Sequence, residues 1–600
     1  MITLDIQDGN FILSCPPRER DFAKMVPGLK YKAAQDAYMG PANWTVATIL
    51  NGVFMPRGLE ITDAVREWID AEFKRVSELI EFKRSDTDYG ITVEAVNGDR
   101  LFSWQANDAY FMALSRAVID TSILGSGKGP KALSALRIAE SMGQDVFPLL
   151  VVTRPLMIGP TDDVCAEFSE EAGQFAAEVA KWLPGKTFRT LTKGMTPAKR
   201  KAALESGADV VIIPWHLLPM HSRLASYGSE SLTKAQKTPK ELNGRFKSVI
   251  FDEAHKALDP STQITKAMWA VSDEIEYKYF LTNTPMEKAP DELWCLLRGA
   301  FPEHFPSSTR YKDRYCHMVP SVFGPDKCIG LRPDTENEWR QIYELMHIER
   351  DESYLPNLPR KLYHDPYFVE MEGKQGTAYR SMDQKGLVKV KDLILTATDP
   401  LVKRTRLLQL AAATPVLGLV KVKNKMTNET EEQVSITEYT MPSCKVDFLF
   451  EVLDKYSEPL IVFMDDRKLL DLCAKQLDKA GVSYVEFKGG MKDRVREAGR
   501  HEFQSGKARV ALAMFQCAAE GLTLTAAPRT LYLQRDDSSI NSTQSEGRTR
   551  RIGQEAEVVE YLDCITKDTE EIKVHQNYLA KHKVRSDALG REEDTRKLSA

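Results

Sequence analysis

Six hundred residues exceed what one hydrophobic core can organise, so the chain divides into several structural units. With 81 basic and 86 acidic side chains the net charge is −5, which excludes an overall cationic coat while leaving room for a local basic groove. The nine cysteines (15, 165, 295, 316, 328, 444, 473, 517, 564) form no Cys-x-x-Cys pair, no apolar run reaches the ~18 residues of a membrane span, and no charged-then-apolar leader opens the chain, so the expectation is an intracellular protein without zinc, disulfides or a membrane.

Residues 1–95 read as an accessory α+β module. Phe11-Ile12-Leu13 and Trp44-Thr45-Val46 have the composition of short strands, and Val65, Trp68, Ile69, Phe73, Val76 and Ile80 recur at the spacing of one helical face. Over 96–295, apolar strands alternate with helical stretches: Pro148–Val152, Asp209–Ile213, Ser248–Phe251 and Tyr279–Leu281. That alternation predicts a parallel sheet with helices on both faces. Residues 296–440 lose it, gain charge and carry prolines at 356, 359 and 366, which predicts a helical insertion. Over 441–575 it returns with Leu460–Phe463, Tyr484–Phe487, Val510–Ala513 and Thr530–Leu533, and 576–600 reads as a charged tail. The fold class is α/β, two such halves flanking a spacer.

Between a helix and the first long strand lies Leu124-Gly125-Ser126-Gly127-Lys128-Gly129. Glycines let backbone N–H groups wrap around phosphate, and a lysine at a helix start reaches its outer oxygens. The residue after Lys128, where a hydroxyl would ligate Mg²⁺, is Gly129. The strand Ser248–Phe251 then delivers Asp252-Glu253-Ala254-His255. Two acids at a buried strand end place one carboxylate beside a metal and its neighbour beside the attacking water, the alternative being ordinary solvated acids. Gln105, twenty residues before Gly125, offers an amide able to read an adenine edge, and Thr282-Asn283-Thr284-Pro285 closes the strand after the acids.

In the second half, Glu520-Gly521-Leu522-Thr523-Leu524-Thr525 is a turn whose Gly521 can bring backbone close to a ligand. Within Gln544–Gln554, Arg548 and Arg551 stand three apart, which predicts one helical face presenting both guanidiniums. They can clamp a phosphate as charge develops, or line a basic surface that tracks nucleic acid.

In this order the motifs resemble those of SWI/SNF-type DEAH-box ATPases of helicase superfamily 2, over about residues 100–565, with Lys181–Pro184, Glu292-Leu293-Trp294 and Ser443-Cys444-Lys445 also similar. The resemblance implies two RecA-like lobes with ATP and Mg²⁺ between them, a helical insertion, and movement along double-stranded DNA without obligatory strand separation. It implies Lys128 on phosphate, with Gln105, Gly125, Ser126, Gly127, Gly129, His255 and Gly521 around the nucleotide. Asp252 would hold Mg²⁺ through water, Glu253 would activate the hydrolytic water, and Arg548 and Arg551 would be the trans-lobe arginines. The pattern departs at Gly129, at Asn283 in place of glycine, at Cys517-Ala518-Ala519 in place of Ala-Gly-Gly, and at Ile540-Asn541-Ser542 in place of Trp-Asn-Pro. Near the N-terminus, Phe22–Gly28 with Tyr31 and Trp44 resembles the HARP module, which implies contact with branched DNA.

DNA phosphates would be gripped at loop ends, with Thr153, Arg154, Trp215, Thr282, Lys488, Gly489 and Gln516 as the expected track. The expected function is an ATP-dependent translocase on duplex or forked DNA, serving fork remodelling, annealing, repair or replication. It would act as a monomer, with replication, repair or transcription proteins as further partners. A strand-separating helicase and a translocase that displaces RNA polymerase are alternatives. A third is a nucleotide-gated DNA clamp whose hydrolysis is weakened by Gly129.

Overall fold

The computed structural model describes residues 1–155, 174–192, 194–228, 231–321, 326–355, 358–397, 399–423, 430–491, 493–515, 522–536, 538–551 and 553–589. The chain separates into two compact units after Tyr354, inside the segment read as a spacer.

The first unit opens with five strands: β1 (Ile2–Gln7), β2 (Asn10–Ser14), β3 (Lys30–Lys32), β4 (Ala37–Pro41) and β5 (Leu59–Ile61), in the order β3-β4-β2-β1-β5. Alternation along β1 and β2 buries Ile2, Leu4, Phe11 and Leu13 on one face. Trp44-Thr45-Val46 is not a strand but the first turn of the helix Trp44–Phe54, because Asn43 caps it by accepting the Val46 N–H. The helix Asp63–Arg84 forms as its spacing predicts and buries Val65 and Val76, whereas Phe73 is exposed.

Seven strands make the main sheet of this unit: β6 (Ala117–Asp120), β7 (Leu149–Thr153), β8 (Phe188–Thr190), β9 (Val210–Pro214), β10 (Ser248–Asp252), β11 (Tyr277–Leu281) and, after the hairpin β12 (Cys316–Val319)/β13 (Lys327–Leu331), β14 (His347–Ile348). The order is β14-β6-β11-β10-β7-β9-β8, and every pair is parallel. Parallel strands need crossovers, so all their C-terminal ends, where β6, β7, β10 and β11 stop, meet along one edge. Near-continuous apolar runs follow from burial on both faces: all five residues of β7, β9 and β11 are buried.

The second unit holds β15 (Arg360–Tyr363), β16 (Tyr367–Val369), the hairpins β17 (Leu387–Val390)/β18 (Leu393–Thr396) and β19 (Thr414–Lys423)/β20 (Thr430–Thr440), then β21 (Leu460–Met464), β22 (Tyr484–Phe487), β23 (Val510–Met514), β24 (Arg529–Tyr532) and β25 (Val558–Thr566). Its parallel sheet runs β15-β25-β24-β21-β23-β22, with β16 also on β25. The segment 296–440 contains helices, among them Gly373–Lys385 and Pro400–Ala412, but three hairpins are interleaved with them. Those strands escape a hydropathy reading because β20, for example, leaves most of its charged residues in solvent and buries only Ile436 and Tyr439. The helix Glu570–Leu589 carries the fold into the expected tail. Among the described residues no helix is long and apolar enough to cross a membrane.

Candidate nucleotide and nucleic-acid site

The Gly-rich loop leaves β6 and enters the helix Lys128–Ser141. Gly125 and Gly127 have φ of 87° and 72°, a region that glycine reaches without steric cost. At Gly127 a Cβ would also lie 2.6 Å from Gln105 Nε2. Gln105 is buried under this turn: its Nε2 donates to the Ser126 carbonyl at 3.0 Å, and its Oε1 accepts the Phe102 N–H at 2.9 Å. Each end of the amide thus holds a backbone group, and Gln105 props the loop. The Ser126 hydroxyl is buried and has no hydrogen-bond partner among the described residues.

Lys128 folds back so that its ammonium donates to the carbonyls of Ser122 (2.7 Å) and Ile123 (3.0 Å). Burial lowers its pKa to about 8; Asp120, Glu253 and Asp252 oppose that shift while Lys131 adds to it. One turn along the helix, Lys131 is fully buried between Asp108 Oδ2 (2.9 Å) and Asp120 Oδ2 (2.8 Å). Arg350 pairs with Asp108 at 2.7 Å, and its backbone N–H donates to the Ser122 hydroxyl at 3.1 Å. These four charges brace the loop from behind, and sequence reasoning missed them. Gly129 faces another unforeseen group: a Cβ there would stand 2.1 Å from Oε2 of Glu178, on the helix Gln174–Trp182.

The acids sit where β10 ends. Asp252 Oδ2 accepts the Thr153 hydroxyl at 2.6 Å, and its carbonyl accepts Trp215 Nε1–H at 2.7 Å. Burial, then the charge of Glu253, push Asp252 up to about 6, against the pull of Thr153, Arg154 and Lys128. Glu253 turns into the left-handed region, φ 55°, and pairs with Arg154 at 2.9 Å. His255 Nδ1 lies 3.3 Å from Glu253 and 3.1 Å from the Thr282 hydroxyl. Burial drives its pKa down to about 3, so the imidazole is neutral at physiological pH. Thr282 N–H donates to the Asp120 carbonyl at 3.0 Å, joining the end of β11 to the start of the Gly-rich loop.

Thr153, Arg154, Trp215 and Thr282 are the residues expected on the DNA track. They are buried, between 0% and 5% exposed, and their polar groups turn inward to the acids and His255. This packing has a simple cause: residues at the ends of parallel strands lie against the neighbouring strand end. In the second unit Lys488 pairs with Glu486 (2.6 Å) and Asp471 (3.2 Å) beside the exposed Gly489, while Gln516 and Gly521 lie outside the described residues.

The helix carrying Arg548 ends at Thr549, so Arg548 and Arg551 do not share a helical face. Arg548 is buried and its carbonyl accepts the Leu524 N–H, while Arg551 donates to the Thr523 hydroxyl (3.0 Å) and the Gly547 carbonyl (2.8 Å). The Arg551 side chain and the Arg548 backbone therefore both bond to the Leu522–Thr525 turn.

Residues 172–415 match the SNF2-related domain and residues 444–553 the helicase conserved C-terminal domain. The chain is 24% identical over 324 residues to the DNA annealing helicase and endonuclease ZRANB3 of Bos taurus, covering 53% of this chain and 28% of that protein. It is 24% identical over 466 residues to the DNA excision repair protein ERCC-6-like of Danio rerio, covering 67% and 31%. The chain thus spans about three-tenths of the length of these relatives. A solved SWI2/SNF2 ATPase core of Sulfolobus solfataricus in complex with double-stranded DNA is similar at 17% identity and a TM-score of 0.34, covering 81% of this chain and 93% of that one.

Proposed function

We propose, for a chain that belongs to the SNF2-type ATPases of helicase superfamily 2, that it hydrolyses ATP to move on double-stranded or branched DNA. One observation carries this reading. The Gly-rich loop and the acid pair, 125 to 253 in sequence, lie at one edge of one sheet, and Lys128 feels the charges of both Asp252 and Glu253. Triphosphate suits the loop: two left-handed glycines, an unpartnered buried hydroxyl on Ser126, and an ammonium parked on carbonyls that a stronger acceptor can displace. Mg²⁺ suits Asp252, a carboxylate at the end of β10 whose charge is felt by Lys128 of the Gly-rich loop. When bound, that ion neutralises phosphate charge and orients the outer phosphate.

In this reading Lys128 leaves the Ser122 carbonyl for the phosphates, and Glu253 accepts the proton of the attacking water. His255, neutral and bonded toward Thr282, couples the acid turn to the end of β11. The role that the resemblance gives Arg548 and Arg551 toward the outer phosphate belongs to the same proposal, as do the DNA-structure role of residues 1–95 and an output in annealing or repair, which the relatives' names motivate. The test is ATP turnover without DNA and with single-stranded, duplex and forked DNA, using Glu253→Gln as control. Strong stimulation by duplex or fork, abolished in the variant, is expected. Flat turnover equal to that of the variant would favour the nucleotide-gated clamp that Gly129 motivates.

A further inference from the structure

We propose that Arg154 is a positioning residue for Glu253, fixing the carboxylate that, on the reading above, takes the proton from water. Strands β7 and β10 pair in parallel with Val152 opposite Phe251. Continuing that register sets Thr153 against Asp252 and Arg154 against Glu253, and both continuations are made by side chains. Thr153 donates to Asp252 at 2.6 Å, and Arg154 Nη2 lies 2.9 Å from Glu253 Oε1. The pair is enclosed, with 6% and 16% of the two side chains exposed. From the other side His255 Nδ1 stands 3.3 Å from Glu253 Oε2. Each carboxylate oxygen therefore has its own neighbour, and the left-handed backbone of Glu253 sets the direction from which the side chain leaves. A guanidinium suits this task because it is permanently charged, and the 2.9 Å contact acts as an ion pair, since Arg154 Nη2 makes no hydrogen bond among the described residues.

The proposal rests on Glu253 being the base, so Glu253→Gln is measured first: if it turns over ATP like the natural chain, that reading fails and the proposal falls with it. If Glu253→Gln is inactive, the full chain carrying Arg154→Gln or Arg154→Lys is assayed for kcat and KM of ATP with saturating duplex, for duplex affinity across a salt series, and for thermal unfolding. Misplacing a reacting group by an ångström costs about 10²-fold. Arg154→Gln is therefore expected to lose kcat on the order of 10²-fold at unchanged KM, with Arg154→Lys recovering part of it. Combined with Glu253→Gln it should add nothing, a non-additivity that a general loss of structure would not give. Duplex affinity and its salt slope should not change, whereas an arginine on DNA phosphate would reduce the slope by about 1. A defect confined to KM or to the salt slope, full additivity with Glu253→Gln, or a rise in kcat would each overturn the assignment. Should Arg154→Gln fail to fold, the same kcat-against-KM split in Arg154→Lys decides.

Discussion

Gly129→Thr puts a hydroxyl where the resemblance expects a metal ligand, and the surrounding side chains determine what that should cost. The new Cβ would sit 2.1 Å from Oε2 and 3.3 Å from Cδ of Glu178, so the carboxylate must move. It is the far end of a flexible, half-buried side chain, and swinging it outward costs about 0.5–1.5 kcal/mol if it leaves its rotamer well. Replacing glycine in the first turn of a helix returns roughly 0.3 kcal/mol of propensity. A net loss of about 1 kcal/mol or less follows, which for a unit of this size shifts unfolding by about 1–1.5 °C. The assay is steady-state ATP turnover against Mg²⁺ concentration, with Gly129→Ala separating the effect of the Cβ from that of the hydroxyl. Gly129→Thr should lower the half-saturating Mg²⁺ concentration by about 10-fold, the smaller end of effects seen on altering a metal's surroundings, while Gly129→Ala leaves it unchanged. Equal behaviour of the two variants, or lower turnover with threonine, would show that the hydroxyl finds no metal and that displacing Glu178 is what matters. A loss of stability well beyond a few degrees would show that Glu178 cannot yield.

Gln105→Ala should weaken ATP and GTP alike, because both ends of the amide hold backbone; competition assays in which only ATP weakens would restore the adenine-reading role. Lys128 is lowered to about 8 by burial, so its charged form costs stability below that pH and the cost is relieved as pH rises toward the ordinary lysine range. Phosphate favours the ammonium, so nucleotide binding above pH 8 should take up a proton and weaken by up to about tenfold per pH unit. Calorimetry from pH 7 to about pH 9.5 checks this, and a flat profile refutes it. Lys131→Met strands the buried carboxylate of Asp120, while Asp108 keeps Arg350, and should cost the first unit about 3–5 kcal/mol in denaturant unfolding, whereas a surface-like effect below roughly 1 kcal/mol would mean the cluster is hydrated.

Phosphate chemistry confines its requirements to short contiguous stretches, so the Gly-rich loop, the acid pair and the strand alternation were legible in the chain. β6 and β8 were not, being only four and three residues long, and neither was the hairpin β19/β20, whose outer face is solvated. Charges that support the site come instead from distant segments: Asp108, Asp120, Lys131 and Arg350 meet only because helix and sheet bring them together. One signal was available. Lys131 stands among Ala132, Leu133, Ala135 and Leu136 on a helix with little polar surface, and a buried lysine needs an acid. The DNA-track residues show the complementary difficulty, since spacing identifies a strand end but not the group its side chain meets. Parallel pairing answers that question for Thr153 and Arg154, because each faces one member of the Asp252-Glu253 pair, Thr153 by a hydrogen bond and Arg154 by an ion pair. Arg548 and Arg551 differ for a related reason: three-residue spacing places two side chains on one face only while the helix lasts. This one stops at Thr549, after which Arg551 turns back to the Gly547 carbonyl and Thr523. Thr523 thus holds Arg551 while the Leu524 N–H holds the Arg548 carbonyl. Substituting Thr523 should therefore disturb Arg551 while leaving the helix that carries Arg548 in place.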